Sequence, residues 1–404
     1  MNERMTIEEF KLELESELRD ILHFWMRFAP DPVFGGFFGR IDNRNQVFPE
    51  ASRGVLLYSQ ILWTFSAAFN RSLDKKLLRF AERAYEYIKF HFVDPEFGGV
   101  YWSVDHRGNK LDSKKQIYAQ ASCISALSEY YLAIKEQEIL ELAVGLYRLI
   151  EMHAYDQKGK GYLEGFGTNW SCTDDSRLNE QDLNEPKSLK THLHLLESYT
   201  NLFSVWKNAG LRNQIENLLE VFAHHIVDDK THHLYLYFDI EWNSKSEMIS
   251  YGHELEAAWI LQKAAEAIRH KGWTITMKSL ALRIAEVACE GLDGKGGLYR
   301  ESSHDQFVME KHWWSQAEAM VGFYNAYQLC CEERWYNKSV ASWNFIKSFI
   351  KDSVNGEWFW GVNENQEPID EYCKADAWKS PYHNARACME LIRRMTFHPT
   401  PRNI

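Results

Sequence analysis

The chain has 404 residues, of which 46 are Lys or Arg and 57 are Asp or Glu, giving a formal net charge of −11. Hydrophobic residues make up 45% and charged residues 25%, the composition of a folded globular chain, which excludes a disordered or collagen-like one. No basic excess is available to neutralise phosphates, so nucleic acid is not an expected partner.

The opening stretch MNERMTIEEFKLELESELRD is charged throughout, lacks the apolar core of a signal peptide, and reads as a helix over 7–27. No run of about 18 apolar residues follows, so no membrane association is expected. The seven cysteines form no CxxC pair, which fits reduced thiols in the cytoplasm.

From residue 32 onward a long-period repeat appears. PVFGGFFGRID, PEFGGVYWSVD, GKGYLEGF, GKGGLYRES and NGEWFWGVN each place Gly beside aromatic residues, and THHLYLYFD takes the same place without Gly. Markers at Gly36, Gly98, Gly161, Leu234, Gly297 and Glu357 lie 60 to 73 residues apart. That period suits two helices plus a loop or short hairpin. Between the markers, apolar residues recur at three- and four-residue steps. They predict helices over 52–71, 74–93, 114–135, 137–153, 187–208, 211–227, 250–268, 274–291, 313–330, 335–351 and 380–396. With the first helix these make six pairs. Such pairs can close into a toroid, here a single domain spanning 1–404, with one helix of each pair inside. Arg53, His194, His253, Glu256, Glu318 and His383 lie within apolar surroundings on the presumed inner helices, as expected for residues lining a cavity.

Several constellations carry chemistry. SYGHELEAAWIL sets His253 and Glu256 three apart on one helical face, and Ala257 excludes the HExxH metalloprotease pattern. In THLHLLESY, His192 and His194 point in different directions, so at most one faces the cavity. His224–His225 and His232–His233 read as loop and surface pairs. KHWWSQAEA sets Trp314 one turn from Glu318, a stacking ring beside a carboxylate, with Trp313 adjacent. SPYHNARACMELI places His383 just after Pro381 at a helix start, and Trp378 precedes it. Arg53 opens an apolar helix, where it is either a solvated residue or a holder of a ligand oxygen. No GxGxxG, Walker or GxSxG motif is present, so no nucleotide or acyl-enzyme chemistry is signalled. Histidines, carboxylates and many rings fit proton transfer on a sugar, with no cofactor and no metal expected.

The strings ASRGVLLYSQILW, EFGGVYW, NEPKSLKTHLHLLESYTNL, SYGHELEAAWIL, WWSQAEAMVGFYNAY and WKSPYHNARACMELI resemble the signature blocks of the N-acylglucosamine 2-epimerase superfamily, and are most similar to its cellobiose 2-epimerase branch. The resemblance implies an all-α (α/α)6 barrel with short β-hairpins in the loops. It implies that His253 and His383 are acid/base catalysts and that Arg53 and His194 hold the sugar's carbonyl oxygen. It also implies that Glu256 and Glu318 orient the histidines or the ligand, and that Trp314, Trp378, Tyr101 and Asp182 contact sugar rings and hydroxyls. Where the branch reads KTMNTHLH this chain reads KSLKTHLH, so Lys190 stands in the sugar site in place of Asn. The expected activity is inversion at carbon 2 of a reducing sugar through a cis-enediolate. The substrate is either a cellobiose- or mannobiose-type disaccharide or D-mannose/D-glucose. The rival activities are an aldose–ketose isomerase of the mannose/fructose type and an inverting glycoside hydrolase. The expected assembly state is a monomer or weak homodimer.

Overall fold

A computed structural model describes residues 5–303 and 306–397. Among the described residues, twelve α-helices follow one another in the expected order. They are α1 (Ile7–Phe28), α2 (Val55–Ser72), α3 (Lys75–Tyr87), α4 (Ile117–Ile134), α5 (Gln137–His153) and α6 (Leu189–Val205). The second half holds α7 (Ala209–Val221), α8 (Tyr251–Ala267), α9 (Lys271–Val287), α10 (Trp313–Cys330), α11 (Glu333–Phe345) and α12 (Tyr382–Phe397). The even-numbered helices pack side by side in a closed inner ring, α2 against α4, then α6, α8, α10, α12 and back to α2. The odd-numbered helices lie outside, with α1 against α12. The architecture is an (α/α)6 barrel.

Sequence decides which helix goes inside. The run Val55–Ser66 of α2 is buried without interruption, as expected for a helix packed on all sides. Helix α3 instead buries a stripe, Leu77, Ala81, Ala84 and Tyr85, and turns its charged residues to water. Helices α2, α4 and α10 end on Leu73, Lys135 and Cys331 in the left-handed region (φ 59, 63 and 63°), which lets the chain reverse into the outer helix within a few residues. No described helix is long and apolar enough to cross a membrane.

Short antiparallel pairings tie each inner helix to the hairpin of the next repeat. Arg53–Gly54 pairs with Ser103–Val104, Lys115–Gln116 with Gly165–Phe166, Lys187–Ser188 with Tyr237–Phe238, and Lys311–His312 with Gly361–Val362. Bridges Ile249↔Ser302 and Ala375↔Ile41 complete the circuit, the last joining the end of the chain to its beginning.

The same repeat explains Arg53, which the sequence placed in the sugar site. Asp31, Asp94, Asp156, Asp228, Asp293 and Asp352 each open a hairpin and accept a backbone N–H two residues on. Five of the six also hold a buried cation. Asp94 takes Lys115 at 2.6 Å, Asp156 takes Lys187 at 2.8 Å, Asp293 takes Lys311 at 3.4 Å and Asp352 takes Lys374 at 2.7 Å. Arg53 is the first-repeat member, 2.5 Å from Asp31, and donates to Gly35 O and Tyr58 Oη. It is fully buried and does not line the central cavity, and its contacts lock the first hairpin. Gly36 in that hairpin sits at φ +58°, where an added Cβ would come within 2.5 Å of the Tyr87 ring. Tyr101 is corrected on the same ground. Its ring packs 4.9 Å from Lys115 Nζ and lies outside the cavity lining. His192 is a further lock, with Nε2 accepting from Tyr162 N and Nδ1 donating to Ser188 O.

Replacing Arg53 with Met leaves Asp31 buried without its cation and should cost about 3–5 kcal/mol of stability. Urea unfolding checks this, and a loss typical of a surface residue would contradict the buried-lock role.

Candidate active site

The inner ring encloses a cavity of about 460 Å³. Six residues around it carry the argument: Lys190 and His194 from α6, His253 and Glu256 from α8, Trp314 from α10 and His383 from α12. Helices α6 and α8 each present two residues three or four apart, so each pair shares the inward face.

At the floor, Arg386 of α12 ties three inner helices together. Its Nη1 donates to Glu197 of α6 at 2.6 Å, and its Nη2 donates to Glu318 of α10 at 2.6 Å and to Glu256 of α8. Tyr382 Oη adds a bond to Glu197 at 2.9 Å, and Trp259 Nε1 adds one to Glu318 at 3.1 Å. All four charged groups are buried. Burial opposes the charge on Glu197 and Glu318, yet the guanidinium holds both carboxyls below the usual carboxylate range. Two sets of side chains here have metal-ligating geometry, His194 with Glu197 and Glu256, and Glu256 with Glu318 and His383. Arg386 already bonds all three of those carboxylates and stands where a cation would sit.

The two histidines are positioned from behind. His383 Nδ1 lies 2.8 Å from Glu318 Oε1, a carboxylate that can only accept, which fixes the proton on Nδ1 and leaves Nε2 for the cavity. His253 Nδ1 lies 2.7 Å from Ser250 Oγ, again leaving Nε2 for the cavity. The Trp314 ring borders both, with centroids 4.6 Å from His253 and 5.8 Å from His383. The two imidazoles come from α8 and α12, the helices on either side of α10. Burial, then the positive charge of Lys190, holds the His253 pKa well below its ordinary 6.5. His194 completes the group, with its ring edge-on to Tyr118 at 4.4 Å and Nδ1 3.6 Å from Glu197.

The expected residues therefore divide. His194, His253, His383, Glu256, Trp314, Trp378 and Lys190 line the cavity. Glu318 stands behind His383. Asp182 accepts from Lys190 Nζ at 2.6 Å and from Tyr237 Oη at 2.6 Å, so it lies behind Lys190 and off the lining. Arg53 and Tyr101 are elsewhere. His233, expected at the surface, is instead paired with buried Glu254 at 2.8 Å.

Sequence reading missed Arg386, which lies three residues after His383 on α12. It missed Gln60, whose Oε1 accepts from Ser380 Oγ at 2.5 Å, leaving its amide N–H groups for a ligand. Trp313 and Trp360 also line the cavity, and the indole N–H of each is buried with no protein acceptor among the described residues. Glu256 Oε2 is likewise unpaired.

Residues 36–387 match the N-acylglucosamine 2-epimerase (GlcNAc 2-epimerase) family. The chain is 42% identical over 388 residues to the cellobiose 2-epimerase of Bacteroides fragilis, covering 95% of this chain and 99% of that protein. It is 36% identical over 393 residues to the cellobiose 2-epimerase of Dictyoglomus turgidum, covering 97% and 100%. The structure of cellobiose 2-epimerase from Bacillus thermoamylovorans superposes with a TM-score of 0.91 at 34% identity, covering 96% of this chain and 100% of that one.

The depressed His253 pKa has a measurable consequence. As pH falls below 6.5, the unfolded chain takes up a proton that folded His253 refuses, so this group lowers stability by up to about 1.4 kcal/mol per pH unit. Above pH 6.5 it contributes no slope. Comparing unfolding of the native chain and His253→Gln at pH 7 and pH 5.5 should show the native chain losing more, and equal losses would contradict a buried neutral imidazole.

Proposed function

The chain belongs to the N-acylglucosamine 2-epimerase family and is a sugar 2-epimerase; we propose that it inverts carbon 2 of the reducing-end glucose of cellobiose, with His253 and His383 exchanging the proton. The observation that carries this reading is the pair of cavity-facing Nε2 atoms on α8 and α12, with both rings bordering Trp314. The hemiacetal opens to the aldehyde. One imidazole removes the proton on carbon 2, and the electron pair of that C–H bond moves into the carbonyl to give a cis-enediolate. The other imidazole returns a proton to the opposite face, so the configuration inverts. A single base would restore the starting sugar or protonate carbon 1 to give a ketose.

The family's cellobiose-acting members favour the disaccharide, and two features of the cavity support it. Trp378 packs on Trp102 at 5.5 Å, and Trp360 stacks on Tyr372 at 4.7 Å with an interplanar angle of 15°. Of these half-buried rings, Trp378, Trp360 and Tyr372 line the cavity and give a second pyranose ring surfaces to stack on. A glycoside hydrolase is disfavoured because it needs two independent carboxylates flanking the bond, whereas Glu256 and Glu318 share one guanidinium.

Cellobiose, mannobiose, mannose and glucose offered separately, with products identified by NMR, test the substrate. The expected outcome is 4-O-β-glucosyl-mannose from cellobiose and no ketose as main product. His253→Ala and His383→Ala should each lower turnover by about 100-fold or more while leaving the fold intact, and near-native turnover in either variant would overturn the assignment.

A further inference from the structure

We infer that Lys190 is the electrophile of the reaction, holding the oxygen of carbon 1 as it becomes the enediolate oxyanion, with Asp182 and Tyr237 as its positioning residues. This rests on the epimerase reading. Removing the proton from carbon 2 converts the C1 carbonyl into an enediolate oxygen bearing a full negative charge, which needs a preorganised donor in the cavity. Arg53, the arginine expected for that task, is locked to Asp31 outside the cavity. Arg386 is bonded to Glu197, Glu256 and Glu318, and one guanidinium among three carboxylates leaves the floor with an excess of negative charge that repels an oxyanion.

Among the described residues, Lys190 and Arg300 are the lysine and arginine side chains that line the cavity. Arg300 lies near the rim between Glu301 at 3.4 Å and Glu310 at 3.6 Å. Lys190 is the one that fits. It is in the first turn of α6, four residues before His194, so the two share the inward face. Its ammonium group is near enough to His253 to be felt there as a positive charge. Asp182 fixes it at 2.6 Å and is itself held by Tyr237 Oη at 2.6 Å and Asn179 Nδ2 at 3.0 Å. An ammonium group has three donors. Asp182 takes one, and the others remain for the substrate.

The Asp182 segment adds a second element. Gln116 Nε2 donates to Ser176 O and Arg177 O at 3.1 and 2.9 Å, which draws the following residues, Leu178 to Gln181, along the cavity wall. The carboxylate that aims Lys190 is thus delivered by the loop that borders the substrate.

The test follows deuterium incorporation at carbon 2 of the epimer formed from cellobiose in heavy water, alongside the Kd of cellobiitol, the reduced disaccharide that has no carbonyl and cannot enolise. Lys190→Met should slow exchange by about 100-fold with cellobiitol binding little changed, and Lys190→Arg should recover most of the rate. Asp182→Asn should lower kcat more than it raises KM, because the charge stays but its aim is lost. Exchange by Lys190→Met at a near-native rate, or a loss of cellobiitol affinity equal to the loss of exchange, would overturn the assignment. A native chain that exchanges no deuterium would instead overturn the epimerase reading, so the two failures are distinguishable.

Discussion

One buried guanidinium holds the site together. Arg386 reaches from α12 to carboxylates on α6, α8 and α10, so four of the six inner helices meet on a single side chain. Burying such a knot is not in itself stabilising, since the desolvation of four charges offsets most of their attraction. Its consequence is geometric. Glu318 can hold His383 Nδ1 only because Arg386 keeps that carboxylate ionised and in place. His383, Glu256 and His194 all stand on or beside this network. A histidine on a free-swinging rotamer would not meet a carbon-bound proton at a fixed distance, whereas one braced from behind does.

Around this centre, the barrel repeats a second device six times. An Asp opens each hairpin, and in five repeats it captures a buried cation from the segment leading into an inner helix or, at the end of the chain, from the segment before α12. These locks set where each inner helix begins and therefore which residues face inward. Lys190 and His194 face the cavity because Lys187–Ser188 is clamped to Tyr237–Phe238 just before α6 starts. The charge pattern of the cavity follows from where the cations end up. Five are held in the locks, one binds three carboxylates, and Lys190 and Arg300 remain on the cavity lining, Lys190 on the same helix face as His194.

Much of this was legible in the sequence, for physical reasons. Inner helices are long apolar runs, outer helices are amphipathic, and the glycine–aromatic hairpins punctuate them, so twelve helices and their order could be read directly. The starts were read too early at Arg53, Lys115 and Lys187, because apolar periodicity does not reveal that these residues pair as strands before the helix begins. The same blindness misplaced Arg53. A charged residue opening an apolar helix looks like a ligand holder until it is set beside Lys115, Lys187 and Lys311, which occupy the same place in their repeats. His253 and Glu256 were found because helical spacing fixes which residues share a face, and His383 from its place after Pro381 at a helix start in a block that resembles the family's. Arg386 was missed because its role depends on carboxylates 68 to 189 residues away along the chain, and no local pattern carries that information.

The central claim is that two imidazoles serve carbon 2 from opposite faces. It is tested most directly by running the reaction in heavy water to low conversion and measuring deuterium at carbon 2 in both the product and the unreacted sugar. Two bases predict a product that is almost fully labelled beside a substrate that is almost unlabelled, since the base that removes the proton is not the one that delivers its replacement to the inverted centre. Equal labelling of the two sugars from the earliest times would mean that one base serves both faces and would contradict the account.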